Sequence, residues 1–244
     1  MKFAVLILAG ATDEPVADLD ARTPLAAAST PALDELAAGG RLGLASMLPP
    51  DSEPLGEALL LSVLGYDPRE HAPARGPIES LALGVRLGRQ DRALRLNLVT
   101  VPDGRLFDAA GRLIRRPEAA ELLAALRPNL PPDFELHAGQ SFRHLLVWRG
   151  CGALSDLVTK PPHACVDQPV DRHLPRGRGA ERLLELMQRA APLLESHDVN
   201  AVRRELGEQP ANALWPHGAG LLPTPPSFES RFGVSLDVKQ LEAC

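Results

Sequence analysis

The sequence predicts an α/β fold, and three observations carry that expectation. Phe3-Ala-Val-Leu-Ile-Leu-Ala9 is an unbroken apolar run of strand length that ends at Gly10, the pattern of a strand buried on both faces of a parallel sheet. A helix, a second short strand, a loop and a second helix follow in the next stretch of chain, the order in which doubly wound sheets open. The middle of the chain then changes texture to hairpins and helices, an α+β inset within the α/β frame.

Each element has its own local reason. Thr30 is placed to cap a helix, Pro31 to take its first position and Gly39-Gly40 to stop it. Leu42 to Leu48 reads as a second strand, and Pro49-Pro50-Asp51 as the loop after it. Glu57 to Leu64 is a very apolar helix closed by Gly65. Leu94 to Val101 alternates apolar and polar residues over its first half, as a half-exposed strand does. Pro102-Asp-Gly104 is a turn, and Arg105 to Asp108 is expected to return as a strand. Pro117 to Leu126 is an amphipathic helix that opens on Pro117 and Glu118. Phe134 to His137 and Phe142 to Arg149 read as strands. Glu181 to Leu194 is a helix whose end Pro192 is expected to sharpen. Ala211 to Trp215 and Val234 to Val238 restore the apolar α/β vocabulary on either side of a Pro-rich loop.

Composition excludes several classes of function. The 244 residues carry 26 Lys plus Arg against 31 Asp plus Glu, a net charge of −5 with no basic block, which argues against nucleic acid as the main partner. With 45% hydrophobic residues the chain is too apolar to be disordered and long enough to bury a core. No apolar run approaches the roughly 20 residues that span a bilayer, so no membrane association is expected. The run at Phe3 to Ala9 is too short for a signal sequence and is followed at once by Asp13 and Glu14. Cys151, Cys165 and Cys244 are odd in number and irregularly spaced, which suits a reducing cytoplasm better than a disulfide framework. Lys2, Lys160 and Lys239 are the only lysines, so the cationic side chains are overwhelmingly arginines, whose planar fork suits carboxylate or phosphate.

The motifs, taken in order, resemble a known family. Thr23-Pro-Leu-Ala-Ala-Ala-Ser-Thr-Pro-Ala-Leu-Asp34, Leu64-Gly-Tyr-Asp-Pro68, Ala74-Arg-Gly-Pro-Ile-Glu79 and Arg95-Leu-Asn-Leu-Val-Thr-Val101 come first. Ser141-Phe-Arg-His-Leu-Leu-Val147, Pro161-Pro-His163, Pro210-Ala-Asn-Ala-Leu-Trp215 and Pro226-Ser-Phe-Glu229 follow. Together they resemble the archaeal type of cofactor-independent phosphoglycerate mutase, in the alkaline phosphatase superfamily, along essentially the whole chain. The resemblance implies a partial alkaline-phosphatase-like parallel sheet with an α+β insertion domain. Residues 1–88 would form the first part of the phosphatase-like domain, 89–208 the substrate-binding insertion, and 209–244 the return, with the family's later half not included. It also implies interconversion of 3- and 2-phosphoglycerate through a phosphoserine and two divalent metals such as Mn or Mg, chemistry that needs hard oxygen ligands and a metal-activated hydroxyl.

At the positions that run this chemistry the sequence departs from the pattern. The family's metal-ligating Asp after the first strand corresponds to Ala9, and the nucleophilic Ser to Gly56. Ser52 and Ser62 flank Gly56 out of register, and Glu57 stands where an Asp would follow the nucleophile. Trp215-Pro-His-Gly-Ala-Gly-Leu-Leu222 lacks the family's lysine at Leu221-Leu222, and Leu60 is apolar where relatives are polar. Losing several members of a coupled site costs orders of magnitude in rate, so no catalytic residue, no resident metal and no other cofactor are expected. The binding part is retained: Arg75, Arg95 and Arg143, with His163, fall where the resemblance implies contacts to a small anionic metabolite.

Ordinary roles compete for each of these residues. Isolated arginines are mostly solvated, and Asn97 beside Arg95 suits a bend in a strand as well as a groove. Cys151, Cys165 and His163 fit no tetrahedral metal spacing and read as plain thiols and a loop imidazole. Ser141 and His144, three apart on one strand, would point to opposite faces and never meet. Gly177-Arg-Gly179 lacks the Lys-Ser/Thr of a phosphate loop. The expected protein is therefore a non-catalytic homologue that binds a small phosphorylated or carboxylated metabolite or a protein partner. An active mutase with atypical ligands and a scaffold without small ligand are the alternatives. A homodimer or protein partner is expected to cover an exposed sheet edge.

Overall fold

The computed structural model describes residues 2–8, 11–48, 56–71, 74–154, 156–221 and 225–238. Two compact units divide at Pro49. The first contains helices α1 (Pro24–Ala27) and α2 (Pro31–Gly39). Thr23 caps α1 by accepting from the Ala26 amide at 3.2 Å, and both helices begin on proline, whose missing N–H is redundant at that position. Thr30 stands at the start of α2 as predicted, but its hydroxyl donates to Asp34 at 3.3 Å instead of capping the backbone.

The second unit contains α3 (Gly56–Val63), α4 (Pro68–His71), α5 (Arg75–Ala82), β1 (Arg92–Val99), α6 (Arg116–Leu126), β2 (Phe134–His137) and β3 (Arg143–Trp148). It continues through α7 (Ala180–Glu195), α8 (Asp198–Glu205), β4 (Ala213–Gly220) and α9 (Phe228–Phe232). Its sheet runs in the order β2-β3-β1-β4, and every pair is antiparallel. The class is thus mixed α and β as predicted, with an antiparallel sheet as its described core.

Period-2 alternation explains why the core forms where it does. Leu94, Leu96 and Leu98 of β1 share a face with Leu146 and Trp148 of β3, Phe134 and Leu136 of β2 and Leu214 of β4. Leu122, Leu123 and Leu126 of α6 and Leu183, Leu186 and Leu194 of α7 cover that face. Asn200 of α8 ties the layers together. Its amide donates to the carbonyls of Leu194 at 2.7 Å and Ala211 at 3.0 Å, and accepts from the Ala211 amide at 2.9 Å. Buried Arg203 joins α8 to α6 through Glu118 at 3.2 Å. At the sheet's edge Arg149 bridges Glu135 at 2.6 Å and Asp91 at 2.7 Å.

The opposite face is covered at one end by α5 and the loop after it. Leu83, Val85 and Leu87 pack there on Ala93, Leu145 and Val147. At the other end Leu106, Cys165 and Trp215 close over Val99. The approach of α5 to β1 is close enough that a Cβ on Gly76 would stand 2.2 Å from the Ala93 carbonyl oxygen. Glycine is therefore required here for space alone.

Several expected elements differ. Among the described residues, 3–8 and 42–48 pair with no strand, and Phe3, Val5, Leu6, Leu42 and Leu44 are exposed; an apolar run becomes a strand only when a neighbouring strand bonds its backbone. Ala9 and Gly10 of the first run lie outside the described residues. Arg105 to Asp108 makes isolated bridges, Thr100 with Asp108 and Arg105 with Pro169, instead of a strand, because Pro169 has no N–H with which to extend a ladder. Val234 to Val238 is exposed and forms no strand among the described residues. Pro192 does not end α7, which continues to Glu195, since a single missing donor in the last turn costs one bond only. The strand expected at Ala211 to Trp215 runs instead from Ala213 to Gly220. No helix among the described residues is long and apolar enough to cross a membrane.

Gly76→Ala is expected to destabilise the protein by about 1–3 kcal/mol, the cost of forcing a group into a packed space. The urea midpoint should fall with the slope unchanged.

Candidate functional site

The alternation that buries Leu94, Leu96 and Leu98 on one face of β1 forces Arg95 and Asn97 onto the other. There Arg95 stands directly across from Leu145 of β3 and His217 of β4, and Asn97 across from Arg143 and Trp215. Helix α5 packs over β1 and β4 and begins at Arg75. Gly218 follows His217 with φ +62°, and a Cβ there would lie 3.0 Å from the Arg75 Cβ. One turn further along α5, the Glu79 carboxylate comes to 3.8 Å from the Arg95 guanidinium. The segment that carries His163 is fastened to the same strand: the Trp215 indole donates to the Lys160 carbonyl at 2.8 Å, and the Gly218 amide to Thr159 Oγ1 at 3.2 Å.

His217 is the electrostatic centre of this arrangement. It is 3% exposed, and its Nε2 has no hydrogen-bond partner among the described residues. Burial, then the charges of Arg95, Arg75 and His163, push it down to about 3, so the imidazole is neutral at physiological pH. Asn97 is 5% exposed; its Nδ2 donates to the Ala109 carbonyl at 3.0 Å while its Oδ1 is unpartnered among the described residues. A buried polar atom without a partner costs about 1–3 kcal/mol. Two such atoms flank Arg95 on one face. The first turn of α5 adds backbone N–H groups and the positive end of its dipole at Arg75. Cationic forks, an N–H-bearing ring and helix amides together suit a small anion.

The predicted residues are placed as follows. Arg75, Arg95 and His163 surround His217 closely enough for each charge to act on it. Arg143 opens β3 on the same face, exposed, its guanidinium 5.4 Å from the Phe142 ring. Gly56 is the first residue of α3, Leu221 is exposed just beyond β4, and Ala9 and Leu222 lie outside the described residues. His217 itself was missed. Only the β1–β4 register, which sets it opposite Arg95, marks it. Ser141 precedes β3 and donates to the Ile114 carbonyl at 2.7 Å, while His144 Nδ1 accepts from the Gly139 amide at 3.2 Å, so the two form no nucleophile–base pair. Cys165 is buried and Cys151 half-buried, and burial raises both thiols above their ordinary value.

The metal pair implied by the resemblance has no matching donor set here. Among the described residues no three His, Cys, Asp or Glu side chains gather about a common point, and the groups around Arg95 are chiefly cations. Two surface cavities of about 510 and 500 Å³ share Gly207, Glu208 and Gln209 and include neither Arg75, Arg95 nor His217. In the second of them Arg203 and Arg115 already pair with Glu118.

Comparison with known proteins gives one family. Residues 37–200 match the family model of 2,3-bisphosphoglycerate-independent phosphoglycerate mutase. The chain is 39% identical over 234 residues to the enzyme of that name from Methanothrix thermoacetophila, covering 96% of this chain and 59% of the relative. It is 40% identical over 242 residues to a probable one from Geobacter sulfurreducens, covering 96% and 60%. The chain thus spans about three-fifths of the length of these relatives. Among solved structures it is similar to the cofactor-independent phosphoglycerate mutase of Thermoplasma acidophilum, with TM-score 0.53 and 35% identity over 91% of this chain and 59% of that one. A Pyrococcus horikoshii protein gives TM-score 0.67 and 28% identity over 92% and 52%.

The buried histidines make stability pH-dependent with a definite sign. Burial holds His144 at about 4, and burial with the nearby cations holds His217 at about 3, each below the unfolded value of 6.5. Below pH 6.5 the unfolded chain takes up protons that the folded one refuses, so stability is full above that pH and falls as pH drops toward 4. Urea unfolding between pH 7.5 and about 4.5 should show the midpoint falling, and His144→Phe should flatten the slope.

Proposed function

The chain belongs to the 2,3-bisphosphoglycerate-independent phosphoglycerate mutase family, and on that premise we propose that it is a non-catalytic member that holds a small phosphorylated or carboxylated metabolite. The observation that carries the reading is the gathering of Arg75, Arg95 and His163 about buried His217 on one sheet face. That gathering of positive charge about a buried imidazole suits an anionic ligand, and the Glu79 carboxylate, 3.8 Å from Arg95, helps to hold one of the guanidinium groups in place. Two unpartnered buried atoms, His217 Nε2 and Asn97 Oδ1, give the ligand a donor and an acceptor to complete.

Loss of turnover is supported from within the chain. The resemblance sets the nucleophile at Gly56 and a metal carboxylate at Ala9, and neither glycine nor alanine offers an oxygen. Leu221 and Leu222 replace a cation of the family pattern with aliphatic carbon. Binding does not need these groups, because an arginine fork recognises a phosphate or carboxylate by geometry and charge without any metal.

3-Phosphoglycerate is the probe of choice. It is expected to raise the melting temperature, and at a hundredfold its Kd the stabilisation is about 2.7 kcal/mol. Arg95→Met should weaken binding about 10- to 100-fold, the worth of a charge-assisted hydrogen bond. A coupled mutase assay with Mn²⁺ or Mg²⁺ should show no turnover. Metal-dependent turnover would establish an active enzyme instead, and the absence of any shift in the wild type would favour a scaffold.

A further inference from the structure

We propose that His217 donates from Nε2 to the bound anion, and that occupancy of the site is coupled to uptake of a proton by this imidazole. The inference rests on the anion-binding reading above and adds to it a specific residue and a linked equilibrium. It begins with a structural conflict. β4 buries a histidine to 3% exposure, leaves its Nε2 without a partner among the described residues, and sets it directly opposite Arg95. Buried polar atoms in native proteins are overwhelmingly paired, so an orphan beside cations marks the place where a ligand oxygen completes the pairing.

The charges that face His217 come from every element around it. Arg95 on β1, Arg75 on α5 and His163 on the segment fastened to β4 act on it; Glu79 of α5 lies 3.8 Å from Arg95, Lys160 belongs to the same segment as His163, and β4 itself contributes no second titratable group. Burial first, and then the charges of Arg95, Arg75 and His163, keep the imidazole neutral in the absence of ligand. A dianion reverses that sign at short range. Its charge offsets the arginines and accepts from Nε2, so both reasons for excluding the proton weaken together. The proton comes from solvent, the imidazole becomes imidazolium, and no other bond is made or broken.

Linkage then fixes the sign: an anion that raises the proton affinity of His217 binds more tightly as pH falls. Sulfate is the discriminating probe because it stays a dianion throughout the range and titrates no proton of its own. Calorimetric titration of the full chain with sulfate, in two buffers of different ionisation enthalpy between pH 5 and 7.5, counts the protons taken up. Wild type is expected to take up a fraction of a proton that grows toward about one as pH falls, with affinity rising by up to about tenfold per pH unit. His217→Asn and His217→Gln retain an N–H donor but cannot titrate, so either should bind sulfate with a nearly flat pH profile and no buffer-dependent heat. His163→Asn should keep the coupling. If wild type binds sulfate without proton uptake, or if both His217 variants keep the wild-type pH profile, the proposal is overturned while the anion site stands. If wild type binds neither sulfate nor 3-phosphoglycerate, the anion-binding reading itself fails and this inference with it.

Discussion

The central position of β1 is the constraint on which the rest of the second unit depends. It is bonded on both edges, to β3 and to β4, so every residue has its side chain committed to one face or the other. Leu94, Leu96 and Leu98 take the largely apolar face that α6 and α7 cover, where the buried His144 of β3 stands across from Leu96. Arg95 and Asn97 are thereby driven into the second layer, under α5, where charge has to be satisfied in a confined space. A slip of one residue would put Arg95 among the leucines and Leu94 and Leu96 against α5. The apolar core and the cationic cluster are two sides of a single register.

That register also explains which parts of the molecule were legible in the sequence. The period-2 signal at Leu94 to Val101, the 3.6-residue signal at Glu181 to Leu194 and the Pro31 and Gly65 boundaries are local, and each element stands within a few residues of expectation. The run at Phe3 to Ala9 carried the strongest strand signal of all, yet residues 3–8 pair with nothing among the described residues. Apolarity selects burial, whereas a strand requires a hydrogen-bonding neighbour, and that neighbour is not written into the run itself. The return strand at Arg105 to Asp108 failed for a related reason, since its partner presents Pro169.

Site residues divide in the same way. The motifs single out Arg75 and Arg95 as candidates, but nothing local reveals that a helix start and a strand centre meet over β4. Gly218 is what permits the meeting, with a positive φ and no Cβ to strike Arg75. His217 has no sequence signal of its own: it sits in Trp215-Pro-His-Gly218 as one more residue of a loop-like string. Its significance arises only from pairing across from Arg95 and from burial behind α5. Arg143, by contrast, shares the face yet stands exposed at its edge, its guanidinium over the Phe142 ring.

Binding and turnover differ in how they respond to substitution, and that difference reconciles the family with this chain. Catalysis by a nucleophile and its activating groups is grossly non-additive: once one member is gone, the others stabilise a transition state that no longer forms. Recognition of an anion is spread over separate hydrogen bonds, each worth about 1.5–3 kcal/mol to a charged group, and survives the loss of any one. On the proposed reading, Ala9 and Gly56 relax selection on the chemistry without relaxing it on Arg75 and Arg95. The same argument explains why a histidine is tolerated under α5. If the site binds an anion without turning it over, as proposed, a buried imidazole with an open nitrogen is a cost only in the absence of ligand, and an added donor in its presence.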